Sequence, residues 1–140
     1  MSDFKTGSVQ ANGIQFQYLE KGEGPLALCL HGFPDSAWTY RYLLPRLAEA
    51  GYRAVAPFMR GYAPTEIPTD GRYETKTLAA DANALHQALG SGNNAVLIAH
   101  DWGAVTAFGA LGAEPQRWHR AVIGNVPPFA VFGQIGFSYA

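Results

Sequence analysis

The five residues Ala99-His100-Asp101-Trp102-Gly103 close the apolar run Ala95-Val96-Leu97-Ile98-Ala99 and open residues 103–113, a segment of helix length rich in small side chains. A short unbroken apolar run is the mark of a strand covered on both faces. Small residues flanking a central reactive one, between strand and helix, form the pattern of a nucleophile elbow, a turn too tight to admit bulk beside the nucleophile. The usual form is G-x-S-x-G. Here Ala99 stands in place of the first glycine and Asp101 in place of serine. The competing reading makes Asp101 an N-cap, because aspartate is a favoured cap and caps are far commoner than nucleophiles.

An earlier apolar run, Leu26-Ala27-Leu28-Cys29-Leu30, is followed directly by His31-Gly32-Phe33-Pro34. This is where an elbow needs a second loop. One backbone N–H from that loop and one from the residue after the nucleophile would point at a developing oxyanion. Those donors would be Phe33 and Trp102. The alternative for this loop is a tight turn with a structural histidine, and for the His31 side chain itself the expected role is to hold the loop.

Outward from these motifs, Ile14, Phe16 and Tyr18 alternate with Gln15, Gln17 and Leu19, as in a half-buried strand. KGEGP (residues 21–25) reads as a turn. Residues 38–50 are expected to be helical, with Pro45 starting a new turn inside and Gly51 ending it. RAVAP (53–57) is the next strand, 58–76 a loop punctuated by glycine and proline, 77–89 a helix, and 121–124 a last, buried strand. Strands alternating with helices imply right-handed crossovers and an α/β, mostly parallel sheet with helices on both faces. The two N-terminal strands could add an antiparallel edge. No repeat, low-complexity segment or linker divides the chain.

HGFPDSAWTYRYLLPRLAEAGYRAVAPFMRGY (31–62) followed by AHDWGA (99–104) resembles the N-terminal portion of the α/β-hydrolase superfamily, in its epoxide hydrolase and haloalkane dehalogenase branch. The resemblance implies an α/β-hydrolase fold whose lid and C-terminal part are absent. Residues 1–128 would form the N-terminal part of the core domain and 129–140 the start of the lid. It implies Asp101 as the catalytic nucleophile, with Phe33, Trp102, His31, Gly32, Pro34 and His100 forming the oxyanion and substrate-binding surroundings. The loop after RAVAP departs from the family pattern D-x-R-G-x-G-x-S, having Phe58, Ala63 and Thr65 at its first, sixth and eighth places, though Arg60-Gly61 is kept.

A carboxylate with a pKa near ~3.9 is already ionised at neutral pH and needs no base for its first attack. It suits displacement at saturated carbon, giving an alkyl-enzyme ester that activated water then hydrolyses. An epoxide or a haloalkane both fit. Phe33 in the third place of the HGFP loop resembles the epoxide hydrolases, whereas dehalogenases often carry asparagine there; Trp102 occurs in both. The family's catalytic histidine comes late in the chain, so none of His31, His86, His100 and His119 matches it, and its ring-opening tyrosines belong to the lid, near whose start Tyr139 falls. His86 and His119 read as surface or packing residues.

With 48% hydrophobic and 15% charged residues in 140, the chain has the makings of one globular core. A net charge of −1 offers no field for nucleic acid or an anionic membrane. The single cysteine, Cys29, forms no internal disulfide, and the N-terminus lacks the pattern of a signal peptide, so a cytoplasmic setting is expected. Residues 121–140 carry no charge, but Pro127, Pro128, Asn125 and Gln134 argue against a membrane span. The histidines have no ligand spacing, and neither metal nor cofactor is expected. Ending inside an apolar stretch suggests a piece of a longer enzyme, to be completed by a missing C-terminal half or prone to self-association. A truncated, non-catalytic interaction module is the alternative.

Overall fold

The computed structural model of the chain describes residues 4–128. β1 (Lys5–Ala11) and β2 (Ile14–Lys21) form an antiparallel hairpin. Its turn is Asn12-Gly13, with φ of 47° and 84°, a pairing whose twist matches that of the strands it joins. β3 (Leu26–Leu30), β4 (Arg53–Pro57), β5 (Val96–His100) and β6 (Arg120–Gly124) complete a sheet of order β1-β2-β4-β3-β5-β6. β4, β3, β5 and β6 run parallel, and β2 joins β4 antiparallel. The mostly parallel sheet with an antiparallel N-terminal edge is thus as the sequence implies.

Every residue of β3 is buried, because the strand lies mid-sheet with helices over both faces. Leu26, Leu28 and Leu30 face α2 (Thr75–Ala88) and α3 (Trp102–Ala113), meeting Leu85, Ala107 and Trp118. Cys29 faces the other way, toward Tyr40 and Leu44. Burying one such leucine contributes about 1.5–3 kcal/mol, so this strand is a natural centre for the fold. α2 and α3 can approach closely because Gly109 has no side chain: a Cβ there would lie 2.8 Å from that of Ala79.

One expectation needs correction. The helical region 38–50 is split into a 3₁₀ turn, Ala37–Tyr40, and α1 (Leu43–Glu49). Pro45 has no N–H to bond an earlier carbonyl, so a continuous helix cannot run through it, and it sits where a helix start leaves the amide unpaired. The last strand forms as expected; among the described residues its one neighbour is β5, and Val122 is 67% exposed. Among the described residues no helix is long and apolar enough to cross a membrane. The expected lid start, 129–140, and with it Tyr139, lies outside the described residues.

Candidate active site

At the C-terminal end of β5 the chain turns sharply into α3, and Asp101 takes φ 56°, ψ −128°. An L-residue held in so sparsely populated a region costs on the order of 1–3 kcal/mol and persists only when its surroundings over-determine it. Two glycines make the space. A Cβ on Gly103 would lie 2.7 Å from the Leu30 carbonyl carbon and 2.8 Å from His31 O. A Cβ on Gly32 would lie 2.5 Å from Asp101 Oδ2. Gly103→Ala is therefore expected to cost about 1–3 kcal/mol or more from overpacking against backbone. Gly112→Ala in the same helix, where nothing stands within 4 Å, should instead be neutral or stabilising by up to about 1 kcal/mol. Urea unfolding of the two variants checks the contrast.

The Asp101 carboxylate takes two backbone N–H donors on one oxygen. Phe33 N donates to Oδ2 at 2.9 Å and Trp102 N donates to the same atom at 2.8 Å. Among the described residues Oδ1 takes no hydrogen bond. The Phe33 amide, then the Trp102 amide, pull the carboxyl pKa below its ordinary value. Asp101 does precede α3, but it is no ordinary cap. A cap is extended and accepts from the second or third helical amide, whereas Asp101 has positive φ, accepts from the first, and reaches across to the β3 loop.

His31 is fully buried. Met59 N donates to its Nε2 at 3.0 Å, which assigns the proton to Nδ1, 3.1 Å from Gly32 O. A neutral imidazole thus ties the β3 loop to the loop after β4, and its ring meets the edge of Tyr62 at 4.6 Å. His86 is a packing residue, set between Arg117, Gly92 O and the Trp118 ring. Burial lowers the pKa of both histidines below 6.5. The unfolded chain binds those protons near pH ~6.5, the folded chain only at lower pH. Between those limits the unfolded state holds more protons, so stability is complete above about pH 6.5 and declines as pH falls below it. A urea midpoint at about pH 5.5 no lower than at about pH 7.5 would contradict this.

A cavity of about 190 Å³ opens beside the elbow. Its walls are the rings of Phe33, Tyr62, Tyr73 and Trp102, with Met59 and Leu78 and contributions from His31 and Arg60. Phe33 and Trp102 are 65% and 49% exposed, so the two residues whose amides hold the carboxylate also form the mouth. Burial, and secondarily the charge of Asp101, raises the Tyr62 phenol pKa, which keeps it a protonated donor. The predicted residues therefore divide. Asp101, Phe33, Trp102, Gly32 and His31 come together, whereas the His100 ring packs on Tyr40 at 5.7 Å and Pro34 is exposed, neither lining the cavity.

Three participants escape the sequence reading. Arg60 pairs with Asp81 (Nε–Oδ2 2.8 Å, Nη2–Oδ1 2.9 Å), and Asn12 Nδ2 donates to Asp81 Oδ1 at 2.8 Å. This fastens the loop carrying Met59 and Tyr62 to α2 and to the β1–β2 turn. The one available signal was an aspartate amid the apolar spacing Leu78, Ala82, Leu85. Asn125 Oδ1 accepts from Asp101 N at 3.1 Å. A larger cavity, about 640 Å³, lies near the opposite ends of the strands between His86, Gly92, Glu114 and Arg117. There the Arg117 guanidinium is already engaged by Glu114 and His86, while ligands of parallel sheets bind beyond the carboxyl ends of strands. The Asp101 cavity is the better candidate. No group of three or more metal-ligating side chains occurs among the described residues.

The alpha/beta hydrolase fold family matches residues 25–135. An epoxide hydrolase of Caballeronia sordidicola is 40% identical over 131 residues, covering 93% of this chain and 39% of its own. The bifunctional epoxide hydrolase 2 of Sus scrofa is 34% identical over 116 residues, 82% of this chain and 21% of its own. The crystal structure of epoxide hydrolase VrEH1 from Vigna radiata superposes with a TM-score of 0.84 at 39% identity, over 89% of this chain and 39% of that one. The chain thus spans well under half the length of these relatives.

Proposed function

The chain belongs to the α/β-hydrolase fold family, on its epoxide hydrolase branch, and from that membership we propose that the whole protein opens epoxides to diols through an alkyl-enzyme ester on Asp101. One observation carries the reading: Oδ2 is held by both amides, while Oδ1 takes no hydrogen bond among the described residues. In the proposed first step Oδ1 attacks an epoxide carbon, the strained C–O bond breaks, and the ring oxygen leaves as an alkoxide that takes up a proton. Oδ2 then becomes the ester carbonyl oxygen. In the second step water gives a proton to a base as it adds to that carbonyl carbon, and negative charge develops on Oδ2, where the Phe33 and Trp102 amides are already in place to receive it; collapse of this intermediate breaks the bond between the carbon and Oδ1, and Oδ1 leaves with the diol, taking a proton back from that base. Losing one such donor typically costs about 10²–10³ in rate.

The apolar cavity supports an uncharged substrate body lying against Phe33, Tyr62, Tyr73 and Trp102. The base that activates water is assigned to a residue outside 4–128. His31 and His86 have both ring nitrogens engaged, the His100 ring lies on Tyr40, and His119 begins the β6 side of the sheet, far along the strand from Asp101. Incubating the chain with styrene oxide tests the first step. Intact-mass analysis is expected to show one stable adduct, because the ester forms and is not hydrolysed. A folded sample that gains no mass would overturn the reading.

A further inference from the structure

We propose that Asn125 is a positioning residue for the Asp101 elbow, its side chain extending the β5–β6 ladder by one hydrogen bond; the role presupposes that Asp101 is the nucleophile. The ladder ends at the pair His100↔Gly124. One residue further on, both chains leave extended geometry, Asp101 at φ 56° and Asn125 at φ 55°. The β6 backbone therefore no longer offers the Asp101 N–H a regular partner. Asn125 Oδ1 takes its place at 3.1 Å.

The other polar groups of Asp101 are secured elsewhere. Its carbonyl accepts from Ala104 N at 2.9 Å and Val105 N at 3.2 Å, and its carboxylate from Phe33 and Trp102. The N–H is the handle on the β6 side, and Asn125 is what grips it. A strained residue needs every such restraint. The residue type fits both demands: among non-glycine residues asparagine is several-fold enriched in the left-handed region, and its short amide can accept from nearby backbone. A residue needed only for the turn would supply the first property without the second.

Two variants of the full chain separate these properties. Asn125→Gly keeps the left-handed backbone and removes the acceptor, while Asn125→Asp keeps both. In the glycine variant the Asp101 amide is expected to exchange its hydrogen about tenfold faster, with the amides of Leu97 and Ala99 unchanged; the aspartate variant should match the parent. Ester formation with styrene oxide should slow about fivefold in Asn125→Gly, the worth of one net hydrogen bond, and recover in Asn125→Asp. Unchanged exchange at Asp101 in Asn125→Gly overturns the inference, as does slow ester formation that aspartate fails to restore. If the parent chain forms no ester, the nucleophile reading fails, and the exchange measurement still decides whether Asn125 holds the elbow.

Discussion

Asp101→Asn is expected to suppress covalent capture of styrene oxide by roughly 10⁴-fold or more, the scale on which enzymes suffer when a covalent nucleophile is removed. Asparagine has the same shape, and its carbonyl oxygen can accept the Phe33 and Trp102 amides as Oδ2 does. What it lacks is a negatively charged second oxygen. The atom in the place of Oδ1 becomes an amide nitrogen, whose lone pair is delocalised and a poor match for a saturated carbon. The elbow should survive the exchange, so thermal unfolding should shift by no more than about 1 kcal/mol in free energy, the worth of a typical hydrogen bond. Intact mass and an unfolding curve on the same sample check both halves. Capture persisting in the variant would transfer the nucleophile to another residue.

The second large effect is on stability and comes from a pair that never touches Asp101. Arg60 and Asp81 have side chains only 2% and 6% exposed, so neither charge can turn to water when its partner is lost. Breaking a buried pair by removing one member costs about 3–5 kcal/mol, against about 0–1 kcal/mol for a surface pair. Asp81→Ala strands the guanidinium, which is then left with the longer contacts to the Arg72 and Asn12 carbonyls at 3.3 Å. Arg60→Met strands the carboxylate beside Asn12. Combining Arg60→Met with Asp81→Leu removes both charges and should recover most of the loss, since apolar replacements of buried pairs are often neutral or stabilising. Urea unfolding of the cycle measures the coupling. A single substitution costing less than about 1 kcal/mol would mean that water reaches the pair. Because Met59 N holds His31 and Tyr62 walls the cavity, the same lesion should loosen the site.

Much of the frame was legible because burial on two faces leaves a local mark. β3 and β4 fall where their apolar runs lie, and β5 is displaced by a single residue. β1 leaves a weaker mark, since its side chains are largely polar and solvent-facing. β6 was legible as a strand, whereas the order β1-β2-β4-β3-β5-β6 of the described strands is contained in no window of sequence. Asp101, Phe33 and Trp102 could be picked out because each sits in a motif at the end of a buried strand. Asn125, Asp81 and Asn12 could not: their bonds span 24, 21 and 69 residues of chain.

The source of the new oxygen in the diol bears most directly on the chemistry proposed for Asp101. A single turnover of the whole protein in ¹⁸O-enriched water, with enzyme in excess over epoxide, separates the two routes. If the ester forms, the first diol released carries no label, because its oxygen was Oδ1, and the label appears in the peptide containing Asp101. Labelled diol in that first turnover, with an unlabelled Asp101 peptide, would mean that water attacks the epoxide directly and that the carboxylate is not the nucleophile.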